Sequence, residues 1–509
     1  MLRKAKIIAG FFLFTLLFFG GKETVEAATR IHYLGLRGAT DAILLESDGR
    51  FGMIDSGEDW DYPNGKDSRY PLRLEIDKSN GHEQQVIYYM KKVGVTNENF
   101  DFYLGTHAHS DHIGSGDEIV SEFTPNVVYL KKYSNANIAD KKALWDNRYV
   151  YDKLANAAKQ HSTLVQNIKE GTTIKLGKNM KITLYNTKVK TRIPDDNWNS
   201  IVAKVRAYNT TTILTADAVP TIMNKLVEDG KLGKIDILKL PHHGYIDCNP
   251  SSLMTILAPK QAIVTGYISN VDIETRQALE AKGARIRSNN TGVAALVTKY
   301  SAAGYSTSTK NIKAGWLDYN KAQYYIQKNG RPVTGWKKIS GKWYCFTEQG
   351  KVRTGWKTIN KKVFYFRDTG KNGVKGEMLV GWQRPNGKDY VYFRKSGKAG
   401  TRGSLLTGWQ DLNNKLYYFK KTGTNNSNTR KLSGWQKIGG KNYYFHIGAG
   451  KLDGYVYRNG TFVIDGVKYK FDRNGVLRGK APKPTPKPTV TPAEAEVPVV
   501  MSDEDTLYE

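Results

Sequence analysis

Short apolar runs separated by turn residues dominate the chain from residue 29 onward. The runs at 30–36, 42–46 and 51–54 are apolar or alternating, with Gly38 and Asp48-Gly49 between them. This pattern predicts three strands, the last two joined by a hairpin turn. The period lengthens over 83–93, where an amphipathic helix is expected, and 100–105 returns to a buried strand. Residues 139–169 read as mostly helical, with Trp145, Tyr149, Tyr151 and Leu154 on the inner face. Strands are predicted at 173–176, 181–185, 200–208, 211–215, 235–240, 262–265 and 293–298, and helices at 219–228 and 275–282. Such a mixture predicts an α/β domain over 28–305, built as layers of sheet and helix. Residues 59–81 show neither period. A loop of that length is commonly functional, and its Trp60, Tyr62 and Tyr70 would suit an organic cation, its Arg69 and Arg73 a phosphate.

Beyond residue 305 the pattern becomes a repeat. Gly-Trp recurs at Trp316, Trp336, Trp356, Trp382, Trp409 and Trp435, with Gly454-Tyr455 as a degenerate copy. Between the tryptophans lie aromatic clusters such as Trp343-Tyr344-Cys345-Phe346, Phe364-Tyr365-Phe366 and Tyr443-Tyr444-Phe445, each preceded by a turn. One repeat is therefore a β-hairpin that cannot bury its own aromatic face and must stack on its neighbours, an all-β solenoid over 306–479.

Chemistry concentrates in Thr106-His107-Ala108-His109-Ser110-Asp111-His112-Ile113-Gly114. Imidazole and carboxylate suit zinc and related divalent ions. His107 and His109 are two apart, so an extended backbone aims both to one side, while Asp111 and His112 turn towards a second point. Two later apolar runs end in ligand-type residues: 213–218, which carries Asp217, and 238–244, which carries His242 and His243. Asp55 reads as a hydrogen-bond acceptor, and Cys248 as a packing residue.

These motifs, in this order and ending in Pro-His-His-Gly, resemble the metallo-β-lactamase superfamily, specifically its phosphodiesterase and competence-type branch. The resemblance implies an αββα sandwich with a dinuclear centre at one edge. It would place His107 and His109 on one ion, Asp111, His112 and His243 on the other, and Asp217 between both. His242 and Asp111 are the candidate catalytic residues, with either histidine of the pair able to serve as ligand. Many members carry a further histidine before the bridging aspartate; here Asn199, in Asp195-Asp196-Asn197-Trp198-Asn199, stands in the matching segment. The repeats resemble choline-binding cell-wall repeats, with related glucan-binding forms as the alternative. In the choline form aromatic faces cage a quaternary ammonium group. The fullest candidate cage combines Trp336, Trp343, Tyr344 and Trp356, because Val363, Leu416 and Asn442 replace the second tryptophan elsewhere.

Charge and ends complete the expectations. A net charge of +29 over 509 residues points to an acidic partner: wall polymer, membrane surface or nucleic acid. Two cysteines exclude a disulfide framework, and both are expected unpaired. Residues 1–27 read as a secretory signal peptide, with a retained anchor as the alternative; no membrane span is expected in the mature chain. Residues 480–509 read as a Pro-rich, then acidic, disordered tail without a wall-sorting signal. The combination resembles the phosphorylcholine esterase type of surface protein. It implies a secreted enzyme, held non-covalently on a Gram-positive wall by choline or wall glycan, that cleaves phosphodiester substituents of teichoic or lipoteichoic acid with two divalent ions. A competence-type nuclease, for which nucleic acid would be the substrate, and a non-catalytic adhesin are the alternatives.

Overall fold

The computed structural model describes residues 28–479 except 79–80, 371–373, 386, 388–389 and 421–429. The expected signal peptide and tail lie outside the described residues. The chain forms two compact units, one running to Arg353 and the other taking most of the remainder.

The first unit opens with β1 (Thr29–Leu34), β2 (Ala42–Ser47), β3 (Arg50–Ser56), α1 (Glu83–Val93) and β4 (Phe100–Gly105). Next come α2 (Ser110–Ile113), α3 (Gly116–Phe123), β5 (Val127–Leu130), α4 (Asn147–His161), β6 (Thr163–Val165), β7 (Thr173–Leu176) and β8 (Met180–Tyr185). The second half supplies β9 (Val202–Ala207), β10 (Thr210–Leu214), α5 (Pro220–Glu228), β11 (Ile237–Lys239), α6 (Ser251–Leu257) and β12 (Gln261–Val264). It closes with α7 (Ile273–Ala281), β13 (Arg285–Ser288), β14 (Ala295–Ser301) and β15 (Gly304–Lys310).

Two sheets result, one ordered β15-β14-β1-β2-β3-β4-β5-β6 and the other β13-β12-β11-β10-β9-β8-β7. Ile31, Tyr33, Leu45, Ile54 and Leu104 of the first meet Leu176, Ile182, Leu184 and Val205 of the second in one buried layer. Residues alternating with these face the helices. Leu44, Met53 and Tyr103 pack under α1, α3 and α4, while Ile213, Leu238 and Val264 pack under α5, α6 and α7. The strands are apolar on both faces because each sheet is covered on both. The result is the expected helix–sheet–sheet–helix sandwich.

The sequence pattern missed α3, β5, α6 and β13, which are short, and β15, whose residues 304–310 are mostly polar because it is a half-exposed edge strand. The predicted helix over 139–169 is shorter, since Trp145 at φ 31° breaks it before α4.

Two hairpins of the repeat belong to this first unit, Gly315–Ile326 and Gly335–Phe346. Leu317, Tyr324 and Ile326 join the core beneath α1, and the Tyr88 hydroxyl donates to the Lys313 carbonyl at 2.9 Å. The first hairpin thus covers an apolar helix face that water would otherwise meet.

The second unit repeats one arrangement. Trp356, Trp382, Trp409 and Trp435 lie opposite Tyr365, Tyr392, Tyr418 and Tyr444 across their hairpins. Each tryptophan also meets the next hairpin, as Trp382 meets Tyr417 at 5.0 Å and Trp409 meets Tyr443 at 4.9 Å. Among the described residues no helix is long and apolar enough to cross a membrane.

Because Tyr324 is 1% exposed between hairpin and helix, Tyr324→Ala should destabilise the first unit by about 3–5 kcal/mol. Denaturant unfolding followed by far-ultraviolet circular dichroism checks this; a change below about 1 kcal/mol would mean the hairpin does not stabilise the α/β fold.

Candidate metal centre

The functional side chains come from strand ends that the topology places at one edge. β3 and β4 run parallel, as do β10, β11 and β12, so the residues that come after these strands emerge on the same side. Several of the departures use left-handed backbone: Asp55 at φ 56°, Ala216 at 47°, His242 at 46° and His243 at 51°. Such conformations cost about 1–3 kcal/mol each at non-glycine residues and persist only where surrounding structure enforces them. Here they turn the next side chains back over the sheet edge. Gly114 is needed for a different reason: a Cβ there would lie 2.4 Å from the Ser110 carbonyl oxygen and 2.8 Å from the Asp59 nitrogen.

The turns bring two donor groups together. His107, His109 and Asp217 form one, and His112, Asp217 and His243 belong to the other, with the donor atoms of each group within 4.8 Å of one another. His112 Nε2 lies 3.1 Å from Asp217 Oδ1, and His243 Nε2 lies 3.1 Å from Asp111 Oδ2 and 3.5 Å from Asp217 Oδ2. Asp217 therefore reaches both groups, while Asp111 joins the second and is about one-third exposed. His242 Nε2 stands further off, 3.8 Å from Asp217 Oδ2.

Other residues hold these donors from behind. Asp55 accepts from Thr106 N and Oγ1 at 2.9 and 2.8 Å and meets His112 Nδ1 at 2.8 Å. It acts as the expected acceptor, behind the ligand rather than beside it. His243 Nδ1 lies 3.2 Å from both Asp41 Oδ1 and Thr265 Oγ1. A partner on Nδ1 fixes the ring and leaves Nε2 facing the centre. Asp41 is in turn held by the buried Lys239, whose Nζ lies 2.6 Å from Asp41 Oδ2 and donates to the Ala216 carbonyl at 2.8 Å. Although Asp41 also lies near His112, Asp217 and His243, it addresses the Nδ1 sides of the two rings and so supports the cluster from the rear.

Do these residues fit divalent ions? His109 Nε2 is buried and makes no hydrogen bond, and the buried His112 Nε2 and Asp217 Oδ1 face chiefly each other, 3.1 Å apart; buried polar atoms so sparsely partnered are costly without a ligand. The electrostatics agree. Burial lowers the pKa of His107 well below the usual imidazole value, and the neighbouring His112 and His109 lower it further. Burial also opposes charge on His112 and His243, but the surrounding aspartates outweigh it and push both well above the usual value. Asp217, despite burial, is held well below the carboxylate range by His112 and His243. The same field that favours positive charge on His112 and His243 would favour a divalent cation between these carboxylates. The donor set fits two such ions.

Sequence reasoning gave Asn199 at most a weak ligand role, and its amide is engaged elsewhere. Oδ1 accepts from Lys190 N at 2.8 Å, and Nδ2 donates to Asp196 Oδ1 at 2.9 Å. Asp196 in turn accepts from Ala108 N at 2.7 Å, so the segment buttresses the His107–His109 loop. The loop arginines are also committed: Arg69 pairs with Asp67, and Arg73 donates to the Trp145 carbonyl. Residues missed from sequence include Asp41, Lys239, Thr265, Trp145, whose ring lies 4.8 Å from His109, and Asp247, 2.9 Å from His242 Nδ1. Only Lys239 left a signal: a charge between Leu238 and Leu240 in a largely apolar run. Cys248 and Cys345 are free and buried.

The repeats correct one grouping. Trp336 pairs across its hairpin with Cys345, and Lys338 pairs with Trp343. Trp336 and Trp343 therefore share a face, while Tyr344 points to the other, where it meets Trp316 at 5.0 Å. Tyr344 is repeat core rather than a fourth wall of the Trp336 cage.

Two family patterns match the chain. The metallo-beta-lactamase superfamily pattern matches residues 35–182, and the putative cell wall binding repeat matches 334–351, 354–371, 407–424 and 433–445. The chain joins a metallo-beta-lactamase domain to choline-binding repeats. Among solved structures, CbpJ from Streptococcus pneumoniae is 26% identical over 34% of this chain and 56% of its own, with a TM-score of 0.27. Choline binding protein F from the same organism is 26% identical over 36% and 55%, also at 0.27. The metallo-beta-lactamase fold protein YhfI from Bacillus subtilis is 12% identical over 53% of this chain and 99% of its own, at 0.33. The chain thus spans little more than half of the first two. No curated protein matches.

Two outcomes are expected of the centre. Asp217→Asn should lower bound metal from about two equivalents to one or fewer, because the shared carboxylate serves both donor groups; elemental analysis that still finds two would contradict the sharing. Lys239→Met should destabilise the fold by about 3–5 kcal/mol by leaving Asp41 buried and uncompensated. Adding Asp41→Asn should recover part of that loss in the same denaturant assay.

Proposed function

We propose that the protein is a wall-attached, metal-dependent phosphodiesterase that removes phosphorylcholine, or a similar phosphodiester substituent, from teichoic or lipoteichoic acid. One observation carries the reading: a two-ion hydrolytic donor set lies on the same chain as repeats whose relatives recognise choline. An enzyme retained on a choline-bearing polymer meets that polymer's own phosphodiesters at high effective concentration.

His107, His109 and Asp217 would hold one ion, and Asp111, His112, Asp217 and His243 the other. Two such ions, zinc being the best match to these donors, supply Lewis-acid polarisation of phosphoryl oxygens and a hydroxide nucleophile at neutral pH. The chain's own residues do the rest. His242 is partly exposed at the rim, with Nδ1 held by Asp247 and Nε2 turned to the centre. It is placed to stabilise the developing charge or to give a proton to the leaving oxygen. Asp111, the most exposed carboxylate of the cluster, can accept a proton as the nucleophile forms. Trp145 beside His109 adds an apolar wall that excludes water from one side of the centre.

Purified protein should hydrolyse a chromogenic phosphorylcholine ester faster than bis-aryl phosphate, single-stranded DNA or a β-lactam, and should lose that activity on chelation. Faster cleavage of DNA would replace this reading with the nuclease one. Millimolar choline should also release the protein from choline-bearing walls; release by wall polysaccharide instead would make the repeats glycan binders.

A further inference from the structure

We infer that Trp382 and Tyr390 form a latent quaternary-ammonium site that the chain fills with its own Lys431. The inference rests on the choline-binding reading of the repeats and goes beyond it, since it concerns a site closed by the protein itself.

Tyr390 escapes a simple reading of the repeat because this hairpin holds one residue more between Trp382 and Phe393 than the earlier one holds between Trp336 and Phe346. Aligned from the phenylalanine, Tyr390 precedes Val391-Tyr392-Phe393 as Trp343 precedes Tyr344-Cys345-Phe346. It therefore occupies the second aromatic position, which is aliphatic at Val363 and Leu416 and amide at Asn442. Trp382 lies directly opposite Tyr392, and Tyr390, just before that strand, is brought beside Trp382, since one ammonium, Lys431 Nζ, lies within about 6 Å of both ring centroids. Two aromatic walls thus stand together on this hairpin.

A cation is already there. Lys431 Nζ lies 5.0 Å from the Tyr390 ring centroid and 5.7 Å from that of Trp382, within the range of about 6 Å over which a ring face attracts an ammonium. The same nitrogen donates to the Gly450 and Asp453 carbonyls at 2.5 and 2.8 Å. These two carbonyls and the ring faces hold it where a ligand's positive group would sit. By contrast, among the described residues no ammonium or guanidinium lies over the rings of Trp316, Trp356, Trp409 or Trp435. Trp382 does not depend on Lys431 for its position, because Tyr392, Tyr417 and Phe419 pack around it at 5.2, 5.0 and 5.6 Å. Removing the lysine side chain should therefore free the Trp382 face without displacing that ring, while Arg384, whose guanidinium lies 5.4 Å from the Tyr390 ring centroid, stays on the tyrosine; the freed walls suit a methylated ammonium such as choline.

Equilibrium dialysis of labelled choline against the full chain tests this. Lys431→Ala should bind one more equivalent of choline than wild type, and Trp382→Ala added to it should abolish that gain. Lys431→Gln serves if the alanine variant fails to fold, since its amide is shorter, uncharged and still a donor. An unchanged equivalence in a folded variant overturns the latent site, as does a gain that survives Trp382→Ala. Wild-type protein that binds no choline would overturn the reading of the repeats instead. The Lys431 variant is then scored by itself: one equivalent supports the latent site and none overturns it.

Discussion

The catalytic unit is organised by one shared carboxylate. Asp217 is buried and stands close to His112, His243 and His242, and it belongs to both donor groups. Buried charge is tolerable only when it is compensated, so the His107–His112 loop and the His242–His243 turn must converge on it. The two-sheet architecture achieves this by ending parallel strands at one edge. The left-handed residues Ala216, His242 and His243 then turn the chain sharply enough for donors on adjacent strands to meet. The strain at those residues and the opposed charges behind them, Asp55, Asp41 and Lys239, are local destabilisations that three large apolar interfaces offset.

Much of this was legible in the sequence because the chemistry is local. His107 to Gly114 are contiguous in sequence, and the strand before them is apolar but for Asp101. Asp217 and the His242–His243 pair were recognisable as ligand types at the ends of such runs. What stayed hidden is defined by convergence rather than by neighbours in sequence. Nothing near Asp41 announces that it will face His243, more than 200 residues away, and Thr265 looks like any polar residue after a strand. The short elements α3 and β5 show too few periods to register. The edge strand β15 lacks an apolar run, because it is half exposed and Tyr305 is its one side chain packed on the inter-sheet core.

The repeats show the opposite failure. Their aromatics were conspicuous, but adjacent residues of a strand face opposite ways, so Trp343 and Tyr344 could not line one cage. Register decides that point: Trp336 shares its face with Trp343 and Cys345, while Tyr344 supports the preceding tryptophan. The stacking of each tryptophan on its own hairpin and the next is what lets short hairpins, too small to be stable alone, form a unit. The tryptophans that do this stacking stay partly exposed.

Anomalous scattering from crystals of the intact protein, collected at the absorption edge of whichever metal elemental analysis finds, tests the central claim most directly. The account predicts two peaks joined by the Asp217 carboxylate, one contacted by His107 and His109, the other by Asp111, His112 and His243. A single peak, or one lying on the Asp41 side of His112 and His243, would contradict it.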